Sequence, residues 1–308
     1  MEQLINISLD NPFTPLIEIY DDLLTGKGVR VFVKREDKTD KFISGNKWYK
    51  LKYNLIEARE KGYNTLLTFG GAFSNHIHAT AAAGKKYGFK TIGIIRGEAH
   101  SPLNPTLLFA QKNGMHLEYI DRLSYRKKYD SELIKYWNEK FGDFYLIPEG
   151  GSNHLAVKGC TEIVSSIELK YDIICSACGT GGTLAGLILG SDNKTFVLGF
   201  SVLKGGEFLY QNISRHLQYY SAADKNNWQV NLDYHFGGYA KITKELVAFC
   251  NEFYEKHSIL IEPIYTGKMF FGLFDLINQD YFPVNTTIIA VHTGGLQGIE
   301  GLKFMNRV

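Results

Sequence analysis

Lys47 stands directly after Gly45 and Asn46 in "KFISGNKWYKLKYNL", where a helix is expected to begin. If Lys47 opens that helix, Trp48, Leu51, Leu55 and Ala58 share one arc of the wheel and Lys47 lies at its edge. Lys50 and Glu57 fall on a different face, so Lys47, rather than Lys50, is expected to point into the protein. Partly apolar surroundings disfavour an ammonium, and a neutral amine can attack a carbonyl. A lysine whose stem packs on the core while its ammonium reaches water would show the same pattern.

Two glycine-rich turns offer further chemistry. "FGGAFSNHIHATA" leads through Gly70 and Gly71 to Ser74 and Asn75 at a helix start. Backbone N–H groups there, beside a hydroxyl and an amide, can seat a carboxylate or simply cap the helix. His76 and His78, two apart, share no helix face and make a poor metal pair. "CSACGTGGTLAG" runs Gly179, Thr180, Gly181, Gly182 and Thr183 into another helix. Close backbone approach, hydroxyl donors and a helix N-terminus suit a phosphate. No Lys-Ser/Thr pair follows, so this is not a P-loop, and Leu184 stands where a dinucleotide fingerprint needs its third glycine. A reactive lysine, an anion-binding Ser-Asn turn and a phosphate cup together point to a phosphorylated aldehyde. Pyridoxal 5'-phosphate needs such a lysine, such a cup and a polar partner for its ring nitrogen.

The elements that must position these residues alternate. Strands are expected at "VRVFVK", "NTLLTF", "KTIGII", "MHLEYI", "FYLIP", "YDIICSA", "TFVLGFSV" and "TTIIAV". Between them lie helical stretches such as Trp48 to Lys61, Asp130 to Phe141 and Thr243 to His257, and one capped by Asn104 with Pro105 in its first turn. That alternation predicts an α/β fold with parallel sheets covered by helices on both faces, and ligands bound beyond the carboxyl ends of the strands. A chain of 308 residues makes one large or two modest domains. Its formal charge of +2 and lack of basic runs predict no nucleic-acid or anionic-membrane partner. No apolar run spans a bilayer, and "MEQLINISLD" does not resemble a secretory leader. Four cysteines make no disulfide framework, so a reducing cytoplasm is expected. Cys175 and Cys178 form a C-x-x-C without a second pair at zinc spacing, and no metal site is expected.

"KREDKTDKFISGNKWYKLKYNL", "TFGGAFSNH", "ACGTGGTLAG", "EPIYTGK" and "HTGG", in this order, resemble one family from about Pro15 to Gly298. It comprises the 1-aminocyclopropane-1-carboxylate deaminases and D-cysteine desulfhydrases, pyridoxal-phosphate enzymes of the tryptophan-synthase-β fold (fold type II). The resemblance implies a large cofactor-binding domain from residues 1–47 and 150–308, an inserted α/β domain over 48–149, the cofactor in the cleft between them, and a homodimer. It implies that Lys47 bonds the cofactor aldehyde and later moves the substrate α-proton. Asn75 would bind the ring hydroxyl, and Ser74 the substrate carboxylate or α-carbon. Gly179 to Thr183 would hold the phosphate, Thr293 the ring nitrogen, and Tyr265 would face the substrate with Ser74, Asn75 and His76. The ring-opening members carry a second tyrosine where this chain has Ala290, and glutamine where it has His76. Cleaving a strained carbon–carbon bond asks for that extra phenol, whereas expelling a thiolate asks for less. The expected function is β-elimination from a small amino acid, D-cysteine first. The alternatives are ring opening of 1-aminocyclopropane-1-carboxylate with Tyr265 alone, the same elimination on D-serine or another small amino acid, and a cofactor-binding protein without catalysis.

Overall fold

A computed structural model describes residues 12–306; residues 1–11, where a leader and the start of the large domain were considered, lie outside the described residues. Among the described residues, ten strands form two sheets. In the first, β1 (Leu16–Ile19) pairs antiparallel with β2 (Arg30–Lys34). The order then runs parallel through β10 (Thr287–Val291), β7 (Ile173–Cys178), β8 (Phe196–Ser201) and β9 (Trp228–Asn231). The second sheet is wholly parallel, in the order β5 (Met115–Ile120), β4 (Lys90–Arg96), β3 (Thr65–Gly71) and β6 (Tyr145–Ile147).

Buried parallel strands must be apolar on both faces, and β10 shows why. Ile289 and Val291 enter one core cluster with Ile174, Val197, Leu184 and Val157. Ile288 and Ala290 enter the opposite cluster with Ile173, Leu198, Phe270 and Leu273. The Asn46–Glu60 helix joins the two sheets, because the cluster containing its Leu51 and Leu55 also takes in Leu66 and Ile147. It crosses the His154–Ser165 helix so closely that a Cβ on Gly159 would lie 2.0 Å from the Tyr49 carbonyl oxygen.

Every strand expected from the sequence is present, with the helices Asn46–Glu60, Ser131–Phe141 and Lys244–His257 within a residue or two of expectation. The short strands β1 and β9 and the Phe208–Tyr219 helix were not anticipated. Among the described residues no helix is long and apolar enough to cross a membrane. All four cysteines are free and buried.

Candidate active site

Lys47 is fixed by the backbone around it. Gly45, at φ +71°, gives its N–H to the Glu36 carbonyl (3.0 Å), with Thr39 Oγ1 also at 2.8 Å, and Asn46 N–H reaches the Thr293 carbonyl at 3.2 Å. A Cβ on Gly45 would come within 1.9 Å of that Thr293 oxygen, so the helix can start against the "HTGG" turn only through a glycine. Lys47 Nζ donates to Asn46 Oδ1 (3.1 Å) and pairs with no carboxylate among the described residues. Burial, and after it the charge of Lys50, lowers its pKa from the ordinary 10.5 to about 7. Part of the population is therefore a neutral amine at neutral pH.

Lys50 corrects the helical-wheel expectation. It is only 2% exposed, and its Nζ donates to the Gly150 carbonyl (3.2 Å) and lies 3.5 Å from Thr180 Oγ1. The wheel separates apolar from polar residues, and here the polar face meets a polar wall of the protein instead of water. That wall is the glycine turn after β7. Gly181 precedes the Gly182–Gly190 helix, Thr180 Oγ1 donates to Ser152 Oγ (3.2 Å), and Asn46 Nδ2 donates to Thr183 Oγ1 (2.8 Å). A Cβ on Gly182 would lie 2.4 Å from Ser152 Oγ and 3.4 Å from Lys50 Nζ. A cation, several hydroxyls and a helix N-terminus converge there, which is the donor set a phosphate requires.

Ser74 caps the Asn75–Tyr87 helix and accepts from the N–H groups of His76 (3.2 Å) and Ile77 (3.3 Å). Its hydroxyl oxygen is thus used in capping, while its hydroxyl hydrogen remains available to a ligand. The Asn75 amide packs on Gly295, where an added Cβ would lie 2.7 Å from Nδ2. His76 is 1% exposed. Thr68 Oγ1 donates to the Ile147 carbonyl (2.8 Å), so its oxygen must accept from His76 Nε2, also 2.8 Å away. His76 Nδ1 is then a bare acceptor without a partner. Burial, with the charges of Lys47 and Lys50, holds the His76 pKa well below its ordinary value. His78 instead stacks on Phe109 at 3.7 Å.

Tyr265 precedes the Thr266–Asn278 helix, and its ring edge lies 3.1 Å from where a Cβ on Gly179 would sit. Its position depends on Glu262, which is fully buried and accepts from the N–H groups of Ile264 (2.7 Å), Tyr265 (2.9 Å) and Thr266 (2.8 Å). Thr293 is held by its neighbour: His292 Nε2 donates to the Leu260 carbonyl (2.7 Å), and Nδ1 accepts from Gly294 N–H (3.2 Å). His292 is thus a buried histidine with both ring nitrogens satisfied.

Lys47, Ser74, Asn75, His76, Gly179, Thr180, Gly181, Thr183, Tyr265 and Thr293 all line one cavity of about 1050 Å³, and Gly182, between Gly181 and Thr183, is not among its lining residues. Sequence reasoning missed Lys50, Ser152, Arg96 and Tyr239, which line it too. Tyr239 bears on the argument from Ala290. Ala290 is buried on β10 in the core, but Tyr239 brings a second phenol edge-on to Tyr265, with ring centroids 5.9 Å apart. Only spatial proximity reveals it, since 26 residues separate the two in the chain.

A phosphorylated pyridine aldehyde fits this set. There is an amine of lowered pKa for the aldehyde, a cationic glycine cup for the phosphate, and amide and hydroxyl side chains between them. Fold and site therefore define a two-sheet α/β enzyme built around such a cofactor. Residues 7–294 match the model of the pyridoxal-phosphate dependent enzyme family, and the chain belongs to that family. It is 32% identical over 297 residues to the bifunctional D-cysteine desulfhydrase/1-aminocyclopropane-1-carboxylate deaminase of Arabidopsis thaliana, covering 88% of this chain and 74% of the relative. It is 30% identical over 303 residues to the D-cysteine desulfhydrase of Klebsiella pneumoniae, covering 92% and 91%. The crystal structure of an ACC deaminase homologue superposes with a TM-score of 0.81 at 31% identity, covering 96% of this chain and 94% of that one.

Proposed function

We propose that the protein is a β-eliminating lyase that converts D-cysteine to pyruvate, ammonia and hydrogen sulfide. The observation that carries this is the placement of Lys47 in one cavity with the Ser74-Asn75 turn and the glycine turn that Lys50 faces, a setting that also lowers the Lys47 pKa. Pyridoxal phosphate, when bound, supplies an electron sink for carbanion chemistry at the substrate α-carbon. Lys50, Ser152, Thr180 and the start of the Gly182–Gly190 helix would hold the phosphate. Thr293 would hold the ring nitrogen and Asn75 the ring hydroxyl. The Ser74 hydroxyl binds the substrate carboxylate, with His76 and Tyr265 lining the rest of the substrate's space. Lys47 would be the residue that holds the cofactor aldehyde, and its neutral amine would be the base for the substrate α-proton. The enzyme acts as a homodimer, with an inserted domain over residues 48–149. Sedimentation velocity checks the dimer.

Ring opening of 1-aminocyclopropane-1-carboxylate is the second reading. The Tyr239–Tyr265 pair favours it, because the phenol absent at position 290 has a substitute in space. A panel of D-cysteine, L-cysteine, D-serine and 1-aminocyclopropane-1-carboxylate separates the two, with keto acid and sulfide measured for wild type and Lys47→Ala. Pyruvate and sulfide from D-cysteine, lost in Lys47→Ala, are expected. Predominant 2-oxobutyrate from the cyclopropane would favour ring opening. Wild-type turnover in Lys47→Ala would refute the role given to Lys47.

A further inference from the structure

We propose that the site accepts small amino acids whose β-substituent carries a negative charge, and that Arg96 is the residue that selects them. The assignment rests on the elimination reading above and deepens it by naming the class of substrate.

The charges that line the cavity are unequal. Among the described residues, Lys47, Lys50, Arg96, Lys128 and Arg215 stand against a single lining carboxylate, Glu149. Four of these cations have a counterpart. Lys47 serves the cofactor aldehyde in the reading above, and Lys50 faces the glycine cup. Lys128 Nζ pairs with the Glu149 carboxylate at 3.1 Å, and the two charges cancel. Arg215 belongs to the phosphate end. It stands on the Phe208–Tyr219 helix, whose Ile213 Cγ1 lies 3.0 Å from where a Cβ on Gly181 would sit. Lys50 and Arg215 together match the charge of about −2 on a phosphate monoester.

Arg96 is left. It is exposed, and it has no ion pair and no side-chain hydrogen bond among the described residues; its guanidinium lies 5.6 Å from the Tyr125 ring centroid. Lys128 Nζ lies 4.7 Å from the same ring, so the carboxylate on this side, Glu149, is already paired. A cavity wall with surplus positive charge draws an anion, and a planar guanidinium offers paired donors to carboxylate, sulfate or phosphate oxygens. A zwitterionic amino acid brings no net charge to answer it, whereas an anionic substituent does.

Backbone register separates this anion from the α-carboxylate. Arg96 ends β4 directly beside Gly71 at the end of β3. A Cβ on Gly71 would lie 3.5 Å from Arg96 Nη2, whereas one on Gly70 would lie 2.8 Å from Ser74 Oγ. Successive strand residues point to opposite faces, so the guanidinium and the Ser74 hydroxyl stand off opposite faces of one strand end. An α-carboxylate at the Ser74-Asn75 turn leaves Arg96 free for a second anionic group.

The step balances with a sulfate ester as leaving group. The Lys47 amine takes the α-proton, and the electron pair left behind becomes the second bond between the α- and β-carbons. The bond from the β-carbon to oxygen breaks, oxygen keeps that pair, and inorganic sulfate departs with its added charge near Arg96. The enamine takes up water to give pyruvate and ammonia. No oxidant or reductant is needed.

The test uses the pyridoxal-phosphate-loaded enzyme as wild type, Arg96→Gln and Arg96→Lys. Binding of D-aspartate and its neutral isostere D-asparagine is followed by the absorbance of the bound cofactor. Turnover of D-serine O-sulfate and D-cysteine is followed by pyruvate. Wild type is expected to bind D-aspartate about 10- to 100-fold more tightly than D-asparagine, the range of a charge-assisted contact. Arg96→Gln should bring that ratio to about 1, and Arg96→Lys should keep part of it. In Arg96→Gln the loss of kcat/KM should be at least about 10-fold larger with D-serine O-sulfate than with D-cysteine. Equal weakening of both binding ligands in Arg96→Gln would put Arg96 at the α-carboxylate and overturn the assignment. A wild type that turns over D-cysteine without preferring D-aspartate would also overturn it and leave the elimination reading intact. Arg96-dependent preference for D-aspartate, with elimination from neither substrate, would uphold the anion site and overturn the elimination reading.

Discussion

Two lysines three residues apart have opposite surroundings, and this divides their work. Lys47 has one amide oxygen beside it and is held near a pKa of about 7 by burial and by Lys50. Below that value the fold carries a buried charge. Between about 7 and the ordinary 10.5 the unfolded chain holds a proton that the folded chain has lost, so stability rises with pH through that window. Apoprotein carrying Lys47→Met should therefore be more stable to urea than wild type at pH 6. Its advantage should shrink steadily toward pH 10. The same lowered pKa predicts that capture of pyridoxal phosphate by wild-type apoprotein, followed by absorbance, speeds up with pH and levels off just above 7. Lys50 does the other half of the work by facing the glycine cup. A charge-assisted contact to phosphate is worth roughly 1.5–3 kcal/mol, so Lys50→Met should weaken cofactor affinity about 10- to 100-fold in a fluorescence titration. It should also raise the Lys47 pKa, since the Lys50 charge is one of its depressants.

At the scale of elements, Lys47, Ser74, Asn75, Thr293 and the Gly179–Thr183 turn lie where a strand gives way to the helix that follows, whereas Tyr265 lies between two helices, Lys244–His257 and Thr266–Asn278. The start of the second is secured by a buried polar group, Glu262. Burial raises its pKa to about 7, against the pull of the three backbone N–H groups it accepts from. Glu262→Ala strips the start of the Thr266–Asn278 helix of those acceptors and should cost about 2 kcal/mol in urea denaturation. It should lower kcat as well, because Tyr265 is the residue displaced. Handovers from strand to helix were legible in the sequence wherever glycine, a cap residue and a strong period coincide, as at Ser74 and at Gly179 to Thr183. Lys50 was misplaced because a helical wheel treats a polar residue as solvent-facing, and only the opposing turn from Pro148 to Ser152 shows otherwise. Tyr239 was invisible for a different reason. Its loop has neither strand nor helix period, and its partner Tyr265 is brought to it by Lys268 reaching back across the chain. Strands β1 and β9, four residues each, are too short for alternation to register.

For the molecule as a whole, the cavity is shared between the two sheets. Lys47, the phosphate turn and Thr293 follow β2, β7 and β10 of the six-stranded sheet, whereas Ser74, Asn75 and His76 follow β3 of the four-stranded one. A ligand gripped from both sides would link the two sheets, which also share the core around the Asn46–Glu60 helix. Binding to the folded state alone stabilises it by about 2.7 kcal/mol at one hundred times Kd. How that gain is spread depends on which contacts form. Hydrogen exchange on apo and holo protein should show slower exchange in the turn at Gly179–Thr183 and, independently, at the start of the Asn75–Tyr87 helix. Asn75→Ala should abolish the second protection and keep the first, because the phosphate cup does not involve Asn75. If the holo protein slows exchange only around the six-stranded sheet, the cofactor is held from one side, and the role proposed for Asn75 at the ring hydroxyl is wrong. If both regions slow in wild type and only the cup slows in Asn75→Ala, the cofactor couples the two sheets through that single amide.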